Sequence, residues 1–278
     1  MSDEQDLDFT RPAKSEIYDA ALARRCFEVL GSMQSIAQGQ PFFTAGEASE
    51  RMYLLLEGEV SLIRERKLLD VVKPGEVFGE MAAITRQPRS ATAIARSACR
   101  AVYLDARQFQ QAIQRTPEFA LMLMSILINR LRLTDALARM TRSIPDWKGG
   151  RESHLFDAQT VRDFAAALPE RPPLRVLAEH VIFAEGDSAV FMYIVLSGRV
   201  AISIRSKVVE MVGPGGVFGE MALVDQSARA ATAKAETACS LLAINRSDFL
   251  ALVRGKPAFG VSLLQALAER LRYMTSGG

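Results

Sequence analysis

The sequence predicts a mainly β fold with flanking α-helices, laid out as two tandem copies of one domain. Three observations lead there. The stretch FGEMAAITRQPRSATA at residues 78–93 returns as FGEMALVDQSARAATA at 218–233, an offset of 140 residues. The same offset pairs Gly46 with Gly186, Gly58 with Gly198, Gly75 with Gly215, Arg89 with Arg229 and Phe119 with Phe259, so the copies align without a gap. Between helical stretches, each copy carries short runs of Val, Leu, Ile, Phe and Tyr broken by Gly and Pro, the pattern of strands and tight turns in a jelly roll or another small barrel.

Taken in order, residues 1–14 are acidic and polar and read as a loose leader, since a secretory signal needs a basic start and an apolar core. Residues 15–30 place Ile17, Ala21, Leu22, Cys26 and Leu30 at helical spacing, with Gly31 as the stop. Strands and turns are expected over 36–104, then helix over 106–140, broken into two near Pro117 because proline suits a first turn and disrupts an interior. Residues 141–154 hold Pro145, Trp147, Gly149 and Gly150 without apolar periodicity and read as a linker. Helix over 157–168, strands over 181–244 and helix over 248–274 repeat the order. The expected domains are therefore 15–140 and 155–278, joined by 141–154. A unit this long, present twice, indicates a duplicated domain and not a solenoid, whose repeats run about 20–50 residues.

Composition narrows the function. With 34 basic and 32 acidic residues the formal charge is +2, so no chain-wide field draws the protein to nucleic acid or membrane. Cys26, Cys99 and Cys239 lack CxxC spacing, which argues against a disulfide framework or a zinc site and fits a reducing cytoplasm. His154 and His180 have no ligand cluster around them, so no metal is expected. The most apolar run, 119–128, is about half of the ~20 residues that span a bilayer, and reads as a buried or partner-facing helix. No GxSxG, Walker loop or Cys-His arrangement supports an enzyme.

The repeated stretch itself has the makings of a phosphate cradle. Gly79 permits close backbone approach, and Glu80, Met81 and Ala82 open a helix whose free N–H groups can face an anion. Arg89 adds a planar, permanently charged fork suited to phosphate oxygens. A carboxylate beside a phosphate needs another role, and Glu80 could accept from a sugar hydroxyl. An ordinary Glu–Arg pair across a turn is the plain alternative for one copy. Recurrence at identical spacing in Gly219, Glu220, Met221, Ala222 and Arg229 weighs against it.

Both stretches, Phe78 and Phe218 included, resemble the phosphate-binding cassette of cyclic nucleotide-binding domains, shared by bacterial catabolite activators, cyclic-nucleotide-gated channels and the regulatory subunit of cAMP-dependent protein kinase. The likeness covers about 100 residues of each half, including LEGEV and LSGRV and the approaches KPGEVFGE and GPGGVFGE. It implies two jelly-roll domains in which Glu80 and Glu220 hold the ribose 2′-hydroxyl, Arg89 and Arg229 the cyclic phosphate, and the amides after Gly79 and Gly219 complete the cradle. Ser90 resembles the activators' phosphate-assisting serine, whereas Ala230 resembles the kinase regulators. Neither arginine is followed directly by the threonine that marks many cGMP-preferring members, which favours cAMP, with Ser90 leaving cGMP open. Thr134 resembles the activators' adenine-reading threonine, and Tyr273 a kinase-type aromatic lid; a solvent-facing residue is the alternative at each.

The resemblance further implies a cytoplasmic, non-enzymatic cyclic-nucleotide sensor that needs no cofactor and signals to a protein partner in trans or to a second copy of itself. The chain ends at Gly278, just past the helix after which an activator carries its helix-turn-helix, so direct DNA binding is not expected. Dimerisation through 119–140 is left open, as is a structural protein with one or both pockets unused.

Overall fold

Residues 18–140, 153–168 and 171–276 are described by a computed structural model, without the side chains of 133–140 and 272–276. They divide into two units, one ending at Ile126 and one beginning at Leu127.

The first unit opens with α1 (Ala20–Leu30), whose first-turn amides of Ala21 and Leu22 are capped by the Asp19 carboxylate. Leu22, Ala23, Cys26 and Phe27 face inward at the spacing expected of one helical stripe. Gly31 ends the helix in extended backbone, and glycine is required there by packing: a Cβ would sit 2.4 Å from Val102 Cγ1 and 2.6 Å from Phe27 O. Eight strands follow: β1 (Ser32–Ile36), β2 (Pro41–Phe43), β3 (Met52–Glu57), β4 (Val60–Arg64), β5 (Lys67–Val72), β6 (Val77–Phe78), β7 (Thr92–Ala95) and β8 (Cys99–Leu104). The short α2 (Glu80–Thr85) lies between β6 and β7. Two four-stranded antiparallel sheets result, in the orders β1-β8-β3-β6 and β2-β7-β4-β5. Their inner faces close over Phe42, Phe43, Tyr53, Leu55, Val60 and Phe78, a jelly-roll core with Tyr53 and Phe78 stacked at 5.1 Å.

Two helices leave the barrel, as the proline position predicts. The first is α3 (Ala106–Arg115), opened by a reciprocal Asp105–Gln108 capping box. At Pro117 a new helix, α4 (Pro117–Met140), begins, where the missing N–H removes no intrahelical bond. Phe119 is fully buried, edge-on to Phe27 and Phe109. The apolar run that begins with it is buried at every position from Phe119 to Ile128, and no helix among the described residues is long and apolar enough to cross a membrane.

In the second unit Ser153 bridges Val212, and the amides of Leu155 and Phe156 donate to Gly215 O, so the end of the expected linker is hydrogen-bonded to the barrel it precedes. Trp147 lies outside the described residues. After α5 (Ala158–Ala167) come β9 (Leu174–Val176), β10 (Val181–Phe183), β11 (Met192–Ser197), β12 (Val200–Ile204), β13 (Lys207–Val212) and β14 (Val217–Phe218). Next are α6 (Glu220–Asp225), β15 (Thr232–Ala235), β16 (Cys239–Ile244), α7 (Arg246–Gly255) and α8 (Pro257–Ser276). The sheet orders, β14-β11-β16-β9 and β10-β15-β12-β13, reproduce those of the first unit. Strands begin at Ser32 and Leu174, earlier than the sequence pattern marks, because β1 and β9 are edge strands whose residues are mostly exposed or half-buried and carry little apolar signal.

Phe259 is the keystone of the second helical layer, with Phe164 at 5.0 Å, Phe249 at 5.6 Å and Phe156 at 5.7 Å. Phe259→Ala should therefore lower the urea-unfolding stability by about 3–5 kcal/mol, the cost of a large core cavity.

Candidate functional site

In each unit the repeated stretch is a strand end, a tight turn, one and a half turns of helix and a return loop. Pairing of Tyr53 with Phe78 and of Leu54 with Val77 fixes where β6 ends. Gly79 then turns the chain into α2 with φ of 72°, left-handed backbone that favours glycine. It leaves the first-turn amides of α2 without a side-chain cap. A Cβ on Gly79 would meet Arg89 Nη1 at 2.9 Å, and one on Gly219 would meet Arg229 Nη1 at 2.6 Å. Glycine is therefore demanded twice over, by its φ and by its own cassette arginine.

The arginines are anchored at the backbone before their side chains make any contact. Arg89 N–H donates to Glu47 O at 3.0 Å and Arg89 O accepts from Gly46 N–H at 2.9 Å. Arg229 does the same with Asp187 and Gly186. In the first unit Nη1 donates to Gly79 O at 2.8 Å, while Nη2 donates to Arg51 O at 2.7 Å and Ser49 Oγ at 2.8 Å. In the second, Nη1 reaches Gly219 O at 3.0 Å and Nη2 reaches Phe191 O at 2.8 Å. Each guanidinium lies over a phenyl ring, Phe43 at 4.0 Å and Phe183 at 3.9 Å, contacts worth about 0.5–2 kcal/mol.

Neither guanidinium forms an ion pair among the described residues. Arg89 is 3 % and Arg229 5 % exposed, their Nε atoms are buried without a hydrogen-bond partner, and among the described residues neither has a carboxylate within ion-pairing distance. Burial pulls both guanidinium groups below their usual pKa, opposed by Tyr53, Glu47 and Glu80 around Arg89 and by Tyr193, Glu220 and Asp187 around Arg229. A buried cation held by neutral carbonyls and a ring face is one that an anion would stabilise.

Glu80 and Glu220 are buried as well, at 2 % and 5 % exposure. Glu220 Oε1 accepts from Arg270 Nη1 at 2.9 Å, and Arg270 Nη2 also reaches Glu210 Oε2 at 3.0 Å. Glu210, and Glu220 against the cost of burial, hold Arg270 above its ordinary pKa. A carboxylate offers about four acceptor positions, so one ion pair leaves Glu220 able to accept from a hydroxyl. Arg270 on α8 is not among the residues the sequence motif marks; its one signal is that Arg130 stands 140 residues before it, a charged residue kept at the same point of an otherwise apolar helix.

The other expected residues fall as follows. The rings of Phe78 and Phe218 belong to the barrel cores, stacked on Tyr53 and Tyr193, so only their main chain borders the cassette. Ala82 and Ala222 are buried under the helix, Met81 and Met221 are half-buried, Ser90 is exposed and Ala230 half-buried. The side chains of Thr134 and Tyr273 lie outside the described residues. Among those described, no group of three or more His, Cys, Asp or Glu side chains could hold a metal ion.

Residues 33–116 and 173–256 each match the family described as the cyclic nucleotide-binding domain, together more than half of the chain. The chain belongs to the cyclic nucleotide-binding domain family. It is 40% identical over 96 residues to the cyclic AMP receptor protein of Thermus thermophilus, covering 33% of this chain and 44% of that one. It is 25% identical over 232 residues to the cAMP-dependent protein kinase regulatory subunit of Yarrowia lipolytica, covering 82% and 56%. The chain thus spans about half the length of these relatives. Among solved structures, the regulatory domain of Toxoplasma gondii PKA, co-crystallised with cAMP, aligns over 91% of this chain and 90% of that one at 20% identity, with a TM-score of 0.32.

Each cyclic nucleotide-binding domain depends on its cassette glycine in the same way. Gly219→Ala should destabilise the chain by about 1–3 kcal/mol, from a left-handed non-glycine residue pressed against Arg229, and thermal unfolding measures the loss.

Proposed function

We propose that the chain is a cyclic-nucleotide sensor without chemistry of its own, taking cAMP at both cassettes and passing the signal to a protein partner. The observation that carries this reading is the pair of buried arginines without an ion pair among the described residues, each beside a buried glutamate. The cyclic phosphate supplies the missing counter-charge to Arg89 and Arg229, joined by the uncapped amides of α2 and α6. The ribose 2′-hydroxyl donates to Glu80 and Glu220. A charge-assisted bond contributes roughly 1.5–3 kcal/mol, so two or three of them with base burial reach the ~8 kcal/mol of micromolar binding.

The preference for cAMP rests on Ser90 and Ala230, where a threonine would favour guanine. Thr134 and Tyr273 complete the base pocket in this proposal, as parts of the helices that close over the ligand and carry the output. The setting is cytoplasmic and the listener is a separate protein or a second copy of the chain.

Calorimetry with cAMP should give two sites per chain, one in Arg89→Ala or Arg229→Ala and none in the double variant; wild-type stoichiometry in the double variant refutes the cassette assignment. At a ligand concentration 100 times Kd, cAMP should stabilise the second unit by about 2.7 kcal/mol, and Arg229→Ala should abolish that gain. Competition with cGMP should show at least about a tenfold preference for cAMP, roughly 1.4 kcal/mol, and equal affinities would overturn the base argument.

A further inference from the structure

The loop that delivers Arg229 differs from its counterpart in the first unit. It runs from Asp225, the last residue of α6, through Gln226, Ser227 and Ala228; both loops turn through a left-handed residue, Arg86 at φ 56° and Gln226 at φ 53°, and they differ in the side chains that follow. From Leu127 onward α4 belongs to the second unit, and its Arg132 grips this loop. Arg132 Nε donates to Asp225 Oδ2 at 2.6 Å, and Nη2 donates to Asp225 Oδ1 at 3.3 Å, to Ser227 Oγ and to Ala228 O at 3.4 Å. The Ser227 hydroxyl in turn donates to Asp225 Oδ1 at 2.7 Å and its amide to the same oxygen at 3.1 Å. The Arg132 and Asp225 side chains are 28% and 16% exposed, so the pair is shielded more than an open surface pair.

The first cassette lacks the residues for this clamp. Thr85, Gln87 and Pro88 stand where the second has Asp225, Ser227 and Ala228, so the carboxylate is missing. The first loop is braced from within: Thr85 Oγ1 donates to Met81 O at 2.7 Å and accepts from Gln87 N–H at 3.3 Å, and Pro88 fixes φ directly before Arg89. The second loop has Ala228 in place of the proline and carries a carboxylate that accepts from a guanidinium.

The geometry points to Arg132 as a positioning residue of the second nucleotide site: by clamping Asp225, Ser227 and Ala228 it holds the approach to Arg229 in the conformation that receives the phosphate. The inference rests on reading that cassette as a cyclic-nucleotide pocket. Arg132 does not touch the ligand; it removes a freedom that binding would otherwise have to suppress. The backbone bonds of Arg229 to Gly186 and Asp187 fix the far side of the loop, and the clamp fixes the near side.

The test uses the full chain carrying Arg89→Ala, so that calorimetry and stopped-flow release report the second site alone. Arg132→Gln and Asp225→Asn should each weaken cAMP about tenfold, mainly through faster dissociation, and the double variant should be no weaker than either single one, as for partners in one interaction. Arg132→Lys, which keeps the charge and loses the fork, should fall between. Affinities within about twofold of the parent, or losses that multiply in the double variant, overturn the clamp. Hydrogen exchange of the ligand-free chain tests the clamp without any nucleotide: amides of 225–229 should exchange faster in Arg132→Gln, with the barrel strands unchanged, and unaltered exchange there overturns the proposal. A parent that binds no cAMP refutes the sensor reading instead, and the exchange result still decides the clamp.

Discussion

Each half of this protein is built around an arginine taken out of water without a carboxylate at ion-pairing distance among the described residues. Arg89 and Arg229 are held by main-chain carbonyls, by a phenyl face and by backbone bonds to a neighbouring turn, and none of these supplies a net negative charge. The arrangement costs free energy in the ligand-free chain, because carbonyl dipoles and a ring face compensate only part of the lost hydration. Much of the local design serves it: the left-handed glycine that gives the guanidinium room, the two-residue strand that ends beside it, and the aromatic stack beneath. In the proposed reading, a bound anion supplies the charge that these contacts do not.

Duplication has preserved this frame while its supports have drifted. The sheet orders and the pairing of Tyr53 with Phe78 and Tyr193 with Phe218 are common to both copies. Around the frame, Ser49 gives way to Ala189, so Arg229 has one donor contact fewer than Arg89. One return loop is braced by its own threonine and proline, the other by its own Asp225–Ser227 bonds and, in addition, by a guanidinium from α4. If both cassettes take a ligand, their differently restrained loops make unequal affinities the expectation, since the entropy of ordering the loop enters the affinity.

Much of this was legible in the residues themselves. The offset of 140, the turn glycines and the Gly-Glu turn answered by arginine nine residues on are local patterns that survive without coordinates. The break at Pro117 follows from proline chemistry alone. The edge strands β1 and β9 were harder to place because an edge shows little alternation. Phe78 and Phe218 lie inside the recognised motif, yet the structure turns their rings into the core, for a motif marks a stretch and the pleat decides which face each side chain takes.

The sequence by itself determined the duplicated β architecture and the placement of two cassettes, each with a glycine, a glutamate and an arginine at fixed spacing, because these depend on short-range periodicity and turn chemistry. Only the tertiary structure decided that the cassette arginines are buried with no carboxylate at ion-pairing distance among the described residues, that Arg270 reaches Glu220 from 50 residues away, and that Arg132 holds the loop before Arg229. Those pairings follow from strand register and helix docking, which sum many weak contacts across the whole chain and leave no local signature.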